Sequence, residues 1–227
     1  MGMISSSIAR KVAMALSGLF LVFFLGQHFV INFTSVIDPD TFNNISHFFG
    51  TNFAIQAILQ PVLVFGILFH FIIGIYLELK NSKARNVKYT SFKGSASASW
   101  VSRNMIITGL VILAFLGVHF YDFFIPELNV KYIQGDMSGL LENGTGFKYF
   151  EELQHKFESH VRVILYVISF ILLSMHLWHG FASSFQSVGF NNKYSKGLTK
   201  FAKIFSIVIP AGYIFIALYH HINHLIH

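Results

Sequence analysis

Five apolar runs, each about as long as a bilayer is thick, constrain this chain more than any other feature. They cover about 11–33, 52–79, 104–125, 160–185 and 201–219, and a helix needs about 20 predominantly apolar residues to cross the hydrocarbon core. Residues inside lipid must satisfy every backbone polar group internally, and runs of this length do so as helices. Composition agrees, because 54% of the 227 residues are hydrophobic and only 11% are charged, against roughly 25% charged in a soluble domain. The expectation is an all-α integral membrane protein with five transmembrane helices in a single domain spanning 1–227. Arg10 and Lys11 ahead of the first run resemble the start of a secretory signal, but the run passes Gln27 and His28 without a small-x-small cleavage site. It is therefore read as a retained helix.

Charge gives the orientation. With five spans, the N-terminus and the loops 80–103 and 187–203 share one side, which carries Arg10, Lys11, Lys80, Lys83, Arg85, Lys88, Lys93, Arg103, Lys193, Lys196, Lys200 and Lys203, 12 of the 16 basic residues. The other side receives 9 of the 10 acids, all except Glu78. By the positive-inside rule the basic side is cytoplasmic, which puts the N-terminus inside and the C-terminus outside. The expected location is the cytoplasmic (inner) membrane of a bacterium. The basic residues lie in short loops without an aromatic-studded basic face, so no nucleic-acid partner is expected. The outer segment from Pro126 to Lys156 is expected to be a glycine-punctuated loop with a short interfacial helix over Phe147 to Phe157. Pro61 and Pro210 inside spans predict kinks that neighbouring helices accommodate.

The chain has no cysteine and 12 histidines. Disulfides, thiolate-bound metals and iron–sulfur clusters held by this chain are excluded. His28, His70, His119, His176 and His179 lie within apolar spans, where an ionisable side chain is costly and points to function. Depth sorts them. His28 follows Lys11 by 17 positions and His119 follows Arg103 by 16 on outward helices, so both lie in the outer half. His70 precedes Lys80 by 10 and His176 precedes Gln186 by 10 on inward helices, so both lie in the inner half.

Two imidazoles facing each other across a bundle can ligate one haem iron from both sides, an arrangement suited to electron transfer rather than oxygen binding. Small residues are expected where a flat macrocycle approaches backbone: Gly66 and Gly74 flank His70, Gly180 follows His176, and Gly117 precedes His119. The shared His-x-x-x-Gly favours His176 over His179 as the inner ligand, leaving His179 as an alternative or as a contact for a haem propionate. Hydrogen bonds between helices, a proton relay or another metal are the competing uses of these histidines. The cluster His220, His221, His224 and His227 is read as an interfacial tail. A haem-free histidine-relay transporter is the reading from a different class, disfavoured because no acid is evident at mid-depth. A purely structural anchor gives no reason for the depth matching.

These residues resemble the di-haem cytochrome b membrane anchor of succinate:quinone oxidoreductases in its single-subunit, five-helix form. The resemblance rests on His28 in the first span, His70-Phe-Ile-Ile-Gly74-Ile-Tyr76, His119, and Ser174-Met175-His176-Leu-Trp-His179-Gly180-Phe with Ser183-Ser184-Phe185-Gln186-Ser187 after it, and it covers nearly the whole chain. It implies that His70 and His176 hold the inner haem b and His28 and His119 the outer one. It also implies that the first four spans form the haem-binding bundle and the fifth packs outside. Implied partners are a flavoprotein subunit that carries the succinate chemistry and an iron–sulfur subunit, docked on the cytoplasmic face. The implied activity is electron transfer between succinate and a membrane quinone, menaquinone in this form. Fumarate reductase and other di-haem quinol-oxidising subunits are the alternatives. Some members of the family carry a quinol-handling glutamate near the start of the second span; here the region holds His47, Asn52 and Gln56 without a carboxylate. Glu158 and His160, at the outer start of the fourth span, are alternative proton carriers for a quinone site.

Overall fold

The computed structural model describes residues 6–84, 105–141, 144–190 and 194–226. Arg85, Lys88, Lys93, Arg103, Lys193, Glu142 and His227, which entered the charge and histidine arguments, lie outside the described residues. Seven helices follow one another: α1 Ser7–Ile37, α2 Pro39–Thr51, α3 Gln60–Ala84, α4 Met105–Ile133, α5 Tyr149–Phe157, α6 His160–Ser187 and α7 Ser195–Ile226. Five of them (α1, α3, α4, α6 and α7) are long and apolar enough to cross a membrane. The described residues contain no strand, only an isolated antiparallel bridge between Leu140 and Phe147.

The spans α1, α3, α4 and α6 contact one another in a ring, and α7 packs outside it against α1 and most extensively against α6. The apolar core lies toward the acid-rich end, where Phe157, Val163, Tyr166, Phe170, Tyr213 and Ile216 are buried together. Large apolar side chains such as Phe23, Phe65 and Ile72 stand exposed on the spans. In lipid that is their solvated state.

Local chemistry explains where the elements begin and bend. α1 stops at Asp38, whose backbone N–H bonds Thr34 O at 2.9 Å, and the Asp38 carboxylate accepts from Thr41 N–H at 3.0 Å to cap α2. Pro39 occupies the first turn of α2, where its missing N–H costs nothing. Those bonds from Thr41 hold the Asp38 carboxyl below the usual carboxylate range. Ser159 caps α6 by accepting from Arg162 N–H.

Pro61 and Pro126 each follow a π-helical turn, Ile55–Leu59 and Phe120–Phe124. A proline ring clashes with the carbonyl four residues earlier, and a widened preceding turn relieves the clash. In α7, Pro210 cannot donate to Ser206 O, and that carbonyl instead accepts from Ser174 Oγ on α6 at 2.6 Å.

Three stretches differ from the expectation, one of them the last span, which runs past Tyr219 to Ile226. The third span does not end near Ile125: α4 runs on to Ile133, because the π-turn absorbs Pro126 and the helix continues. The second helix, α2, was not expected at all. A polar lock fixes it at the acid-rich end. Glu127 pairs with Lys131 at 2.8 Å and Lys148 at 2.9 Å, Lys148 also pairs with Glu152 at 3.1 Å, and Lys131 donates to Gly50 O. Burial alone lowers the Lys148 pKa, but the Glu127 and Glu152 carboxylates outweigh it and hold the ammonium above its ordinary value.

Candidate functional site: two histidine pairs

His28 on α1 and His119 on α4 face each other with ring centroids 5.9 Å apart and planes at 80°. His70 on α3 and His176 on α6 do the same at 6.5 Å and 74°. An imidazole nitrogen bonds a transition metal at ~2.1 Å, and the ring centroid lies ~1.1 Å behind it. Two trans imidazoles on one metal therefore have centroids about 6.4 Å apart. Both pairs stand close to that separation. The ring of His176 opposes that of His70.

A hydroxyl stands beside Nδ1 of each ring of the His70 and His176 pair, the inner pair of the sequence reading. Ser17 Oγ donates to Met14 O at 2.9 Å and lies 3.0 Å from His70 Nδ1. Thr108 Oγ1 donates to Met105 O at 2.9 Å and lies 3.2 Å from His176 Nδ1. A hydroxyl has one proton, and in both cases it is spent on the carbonyl three residues back. With the proton so placed, each oxygen accepts from the imidazole, and His70 and His176 then carry Nδ1–H and keep the Nε2 lone pair. That is the tautomer in which Nε2 can ligate a metal, with the hydrogen bond at the other nitrogen orienting the ring.

Sequence reasoning missed these two hydroxyls, and an internal repeat would have found them. Met14–His28 and Met105–His119 align without a gap, with Met, Gly, Leu, Phe, Leu, Gly and His identical, seven of fifteen positions, and Ser17 opposite Thr108. The repeat gives each of α1 and α4 an inner hydroxyl and an outer histidine eleven residues, ~16 Å, further along. Its glycines also lie against the rings: a Cβ at Gly18 would crowd His70 Cε1 at 3.2 Å, and one at Gly109 would make an ordinary contact with His176 Cε1 at 3.7 Å. Its phenylalanines stack on the outer rings, Phe24 on His28 at 5.4 Å and Phe115 on His119 at 5.9 Å. The glycines singled out beside the histidines have other neighbours. A Cβ at Gly74 or Gly180 would meet the Met14 or Met105 methyl, one at Gly66 would meet Phe20, and one at Gly117 would meet nothing.

Asp122 also needs reassignment. Counted among the outer acids by sequence, it is 1% exposed, because the π-turn ahead of Pro126 carries it into the bundle. There Arg162 Nη2 lies 2.9 Å from one carboxylate oxygen, and Tyr166 Oη donates to the other at 3.0 Å. The carboxylate sits one turn beyond His119, whose ring is 6.4 Å from that of Tyr166.

No family model, curated protein or solved structure matches the chain. Its functional reading therefore stands on the site itself.

The five residues considered for a quinone site fall into two groups. Asn52 Oδ1 accepts from Ala54 and Ile55 N–H, and Gln56 Nε2 donates to Phe49 O at 2.9 Å, so both help shape the turn into α3. His47 stacks on Phe147 at 3.9 Å beside Tyr149, whose hydroxyl burial and the Glu127 and Glu152 charges push to a higher pKa. At the other corner Glu158 lies 3.3 Å from His155 and 4.0 Å from His224. His160 Nδ1 is 2.6 Å from His221 Nε2, and His221 Nδ1 is 2.6 Å from Phe157 O. A carbonyl only accepts, so with neutral rings His221 donates to it and receives from His160, leaving the His160 Nε2 lone pair open. Two of the C-terminal histidines are not part of a tail: His220 and His221 are buried in α7, and His220 Nε2 lies 2.9 Å from Ser35 Oγ.

Proposed function

We propose that the chain is the cytochrome b membrane anchor of a succinate:menaquinone oxidoreductase, holding one b-type haem between His28 and His119 and a second between His70 and His176. The observation that carries this reading is the pair of facing histidines at each of two levels, with a hydroxyl beside Nδ1 of both His70 and His176. Among the described residues no group of three or more His, Cys, Asp or Glu side chains is placed to hold a metal ion. Each pair offers two donors only, which suits a group that brings its other four in a porphyrin plane. Bound there, haem would supply reversible one-electron chemistry.

The chain's own residues do the rest. Ser17 and Thr108 hold the inner rings in the ligating tautomer, and Gly18 lets the α1 backbone approach the His70 ring. Phe24 and Phe115 fix the outer rings by stacking. Arg162 and Tyr166 compensate the buried Asp122 charge, so it does not stand alone beside His119. At the acid-rich end His160 is the best placed of the candidate proton carriers, since its open Nε2 can take a proton and its Nδ1–H can pass one to His221. The lysines at the other end offer an electrostatic surface for flavoprotein and iron–sulfur subunits.

Affinity purification of the chain from its native membrane tests the assignment. Co-purification of a flavin-bearing subunit with succinate-dependent reduction of a menaquinone analogue is expected. Recovery with a nitrate-reducing or hydrogen-oxidising subunit instead would assign the anchor to another complex.

A further inference from the structure

A groove of about 400 Å³ opens where α6 ends and α7 begins, lined on the α7 side by Lys196, Thr199, Lys200, Lys203, Ile204 and Ile207 and on the α6 side by Trp178. These α7 positions follow the i, i+3, i+4, i+7 rhythm of one helix face. Polarity changes sharply along that face. Its first two turns present three ammonium groups and a hydroxyl, and its next turn presents isoleucine alone. From Lys196 to Ile207 the stripe is ~16 Å long, enough to run from a headgroup layer into hydrocarbon. Ile204 and Ile207 are each 51% exposed, so the deep end opens sideways to lipid rather than into the bundle. Lys203 Nζ lies over the Trp178 ring at 5.2 Å, at the junction of the basic and apolar parts. Among the described residues Lys196, Lys200 and Lys203 form no ion pair with a carboxylate.

We infer that this groove binds an anionic glycerophospholipid, its phosphate between Lys196, Thr199 and Lys200 and an acyl chain along Ile204 and Ile207 beneath Trp178. Uncompensated lysines at the membrane surface attract anionic headgroups, and basic pockets between transmembrane helices are a known form of such a site. The isoleucine half distinguishes a lipid from a free phosphate, which would gain nothing from it. It also distinguishes a lipid from an acidic soluble partner, which has no reach into hydrocarbon. The inference is independent of the haem assignment, since no residue of the groove belongs to either histidine pair.

Native mass spectrometry of the delipidated full-length protein in a mild detergent tests it, titrating phosphatidylglycerol, phosphatidylcholine and inorganic phosphate separately. Phosphatidylglycerol is expected to bind at least about tenfold more tightly than phosphatidylcholine, with phosphate alone a poor competitor. The triple variant Lys196→Gln, Lys200→Gln, Lys203→Gln should lose that preference. Ile204→Ser with Ile207→Ser should weaken lipid binding while leaving the response to phosphate unchanged. Equal binding of the two lipids by the wild-type protein, which needs no variant to fold, overturns the inference. So does displacement of the lipid by millimolar phosphate, which marks a free-anion site, or undiminished phosphatidylglycerol binding by a folded triple variant, which leaves the lysines to a protein partner.

Discussion

At the scale of single residues, the assignment of protons to the inner histidines rests on two hydroxyl groups that look unremarkable in sequence. Serine and threonine in apolar helices commonly bond the carbonyl one turn back, and Ser17 and Thr108 do so. What makes them functional is the second lone-pair contact, to a ring on the neighbouring helix. Removing such a partner of a metal-binding histidine typically costs 10–100-fold in metal affinity or activity. Ser17→Ala and Thr108→Val are each expected to weaken haem retention at the inner pair by about tenfold or more, measured as haem per chain after dilution in detergent, while Ser17→Thr retains it. Unchanged retention in both variants would show that the tautomer is held by something else. Of the candidate residues, the four paired histidines were legible from depth alone. The hydroxyls were legible only through the repeat, because residue type alone does not reveal which neighbour a side chain reaches.

At the scale of elements, proline placement decides more than span hydropathy does. Pro126 marks a helix end in sequence, yet the π-turn before it lets α4 continue to Ile133 and turns Asp122 inward. An acid that seemed to belong to an outer loop thereby becomes a buried charge whose partner, Arg162, lies on α6. Losing one member of a buried pair costs about 3–5 kcal/mol because the other is left uncompensated. Arg162→Leu is therefore expected to lower the thermal unfolding temperature clearly, and Asp122→Asn combined with Arg162→Leu to recover most of the loss. A single variant as stable as the wild type would mean that water already solvates Asp122. α2 escaped sequence reading for a related reason: Pro39–Thr51 is short and polar, and tertiary contacts hold it, including the Asn43 Oδ1 that accepts from Phe150 N–H at 2.8 Å.

At the scale of the whole molecule, a short repeat builds a two-level arrangement. α1 and α4 each supply an inner hydroxyl and an outer histidine, α3 and α6 each supply an inner histidine, and α7 closes the outside of the ring. The five spans and their depth pairing could be read from apolar run lengths and flanking charge. The repeat was equally visible in the letters but lay beneath the hydrophobic pattern, which treats Ser17 and Thr108 as filler. If electrons enter at the lysine-rich end and reach quinone at the acid-rich end, they cross part of the membrane potential, worth ~2.3 kcal/mol per charge per 100 mV. Succinate:menaquinone activity in energised vesicles is then expected to fall on uncoupling, and activity indifferent to the potential would place the quinone at the lysine-rich end.

The central claim is that each histidine pair holds a haem, and the most direct measurement is a pyridine haemochrome count on the purified chain together with its reduced-minus-oxidised visible spectrum. Two b-type haems per chain are the expected result. A chain that purifies folded and without haem would contradict the account and leave the facing histidines to hydrogen bonding or proton relay.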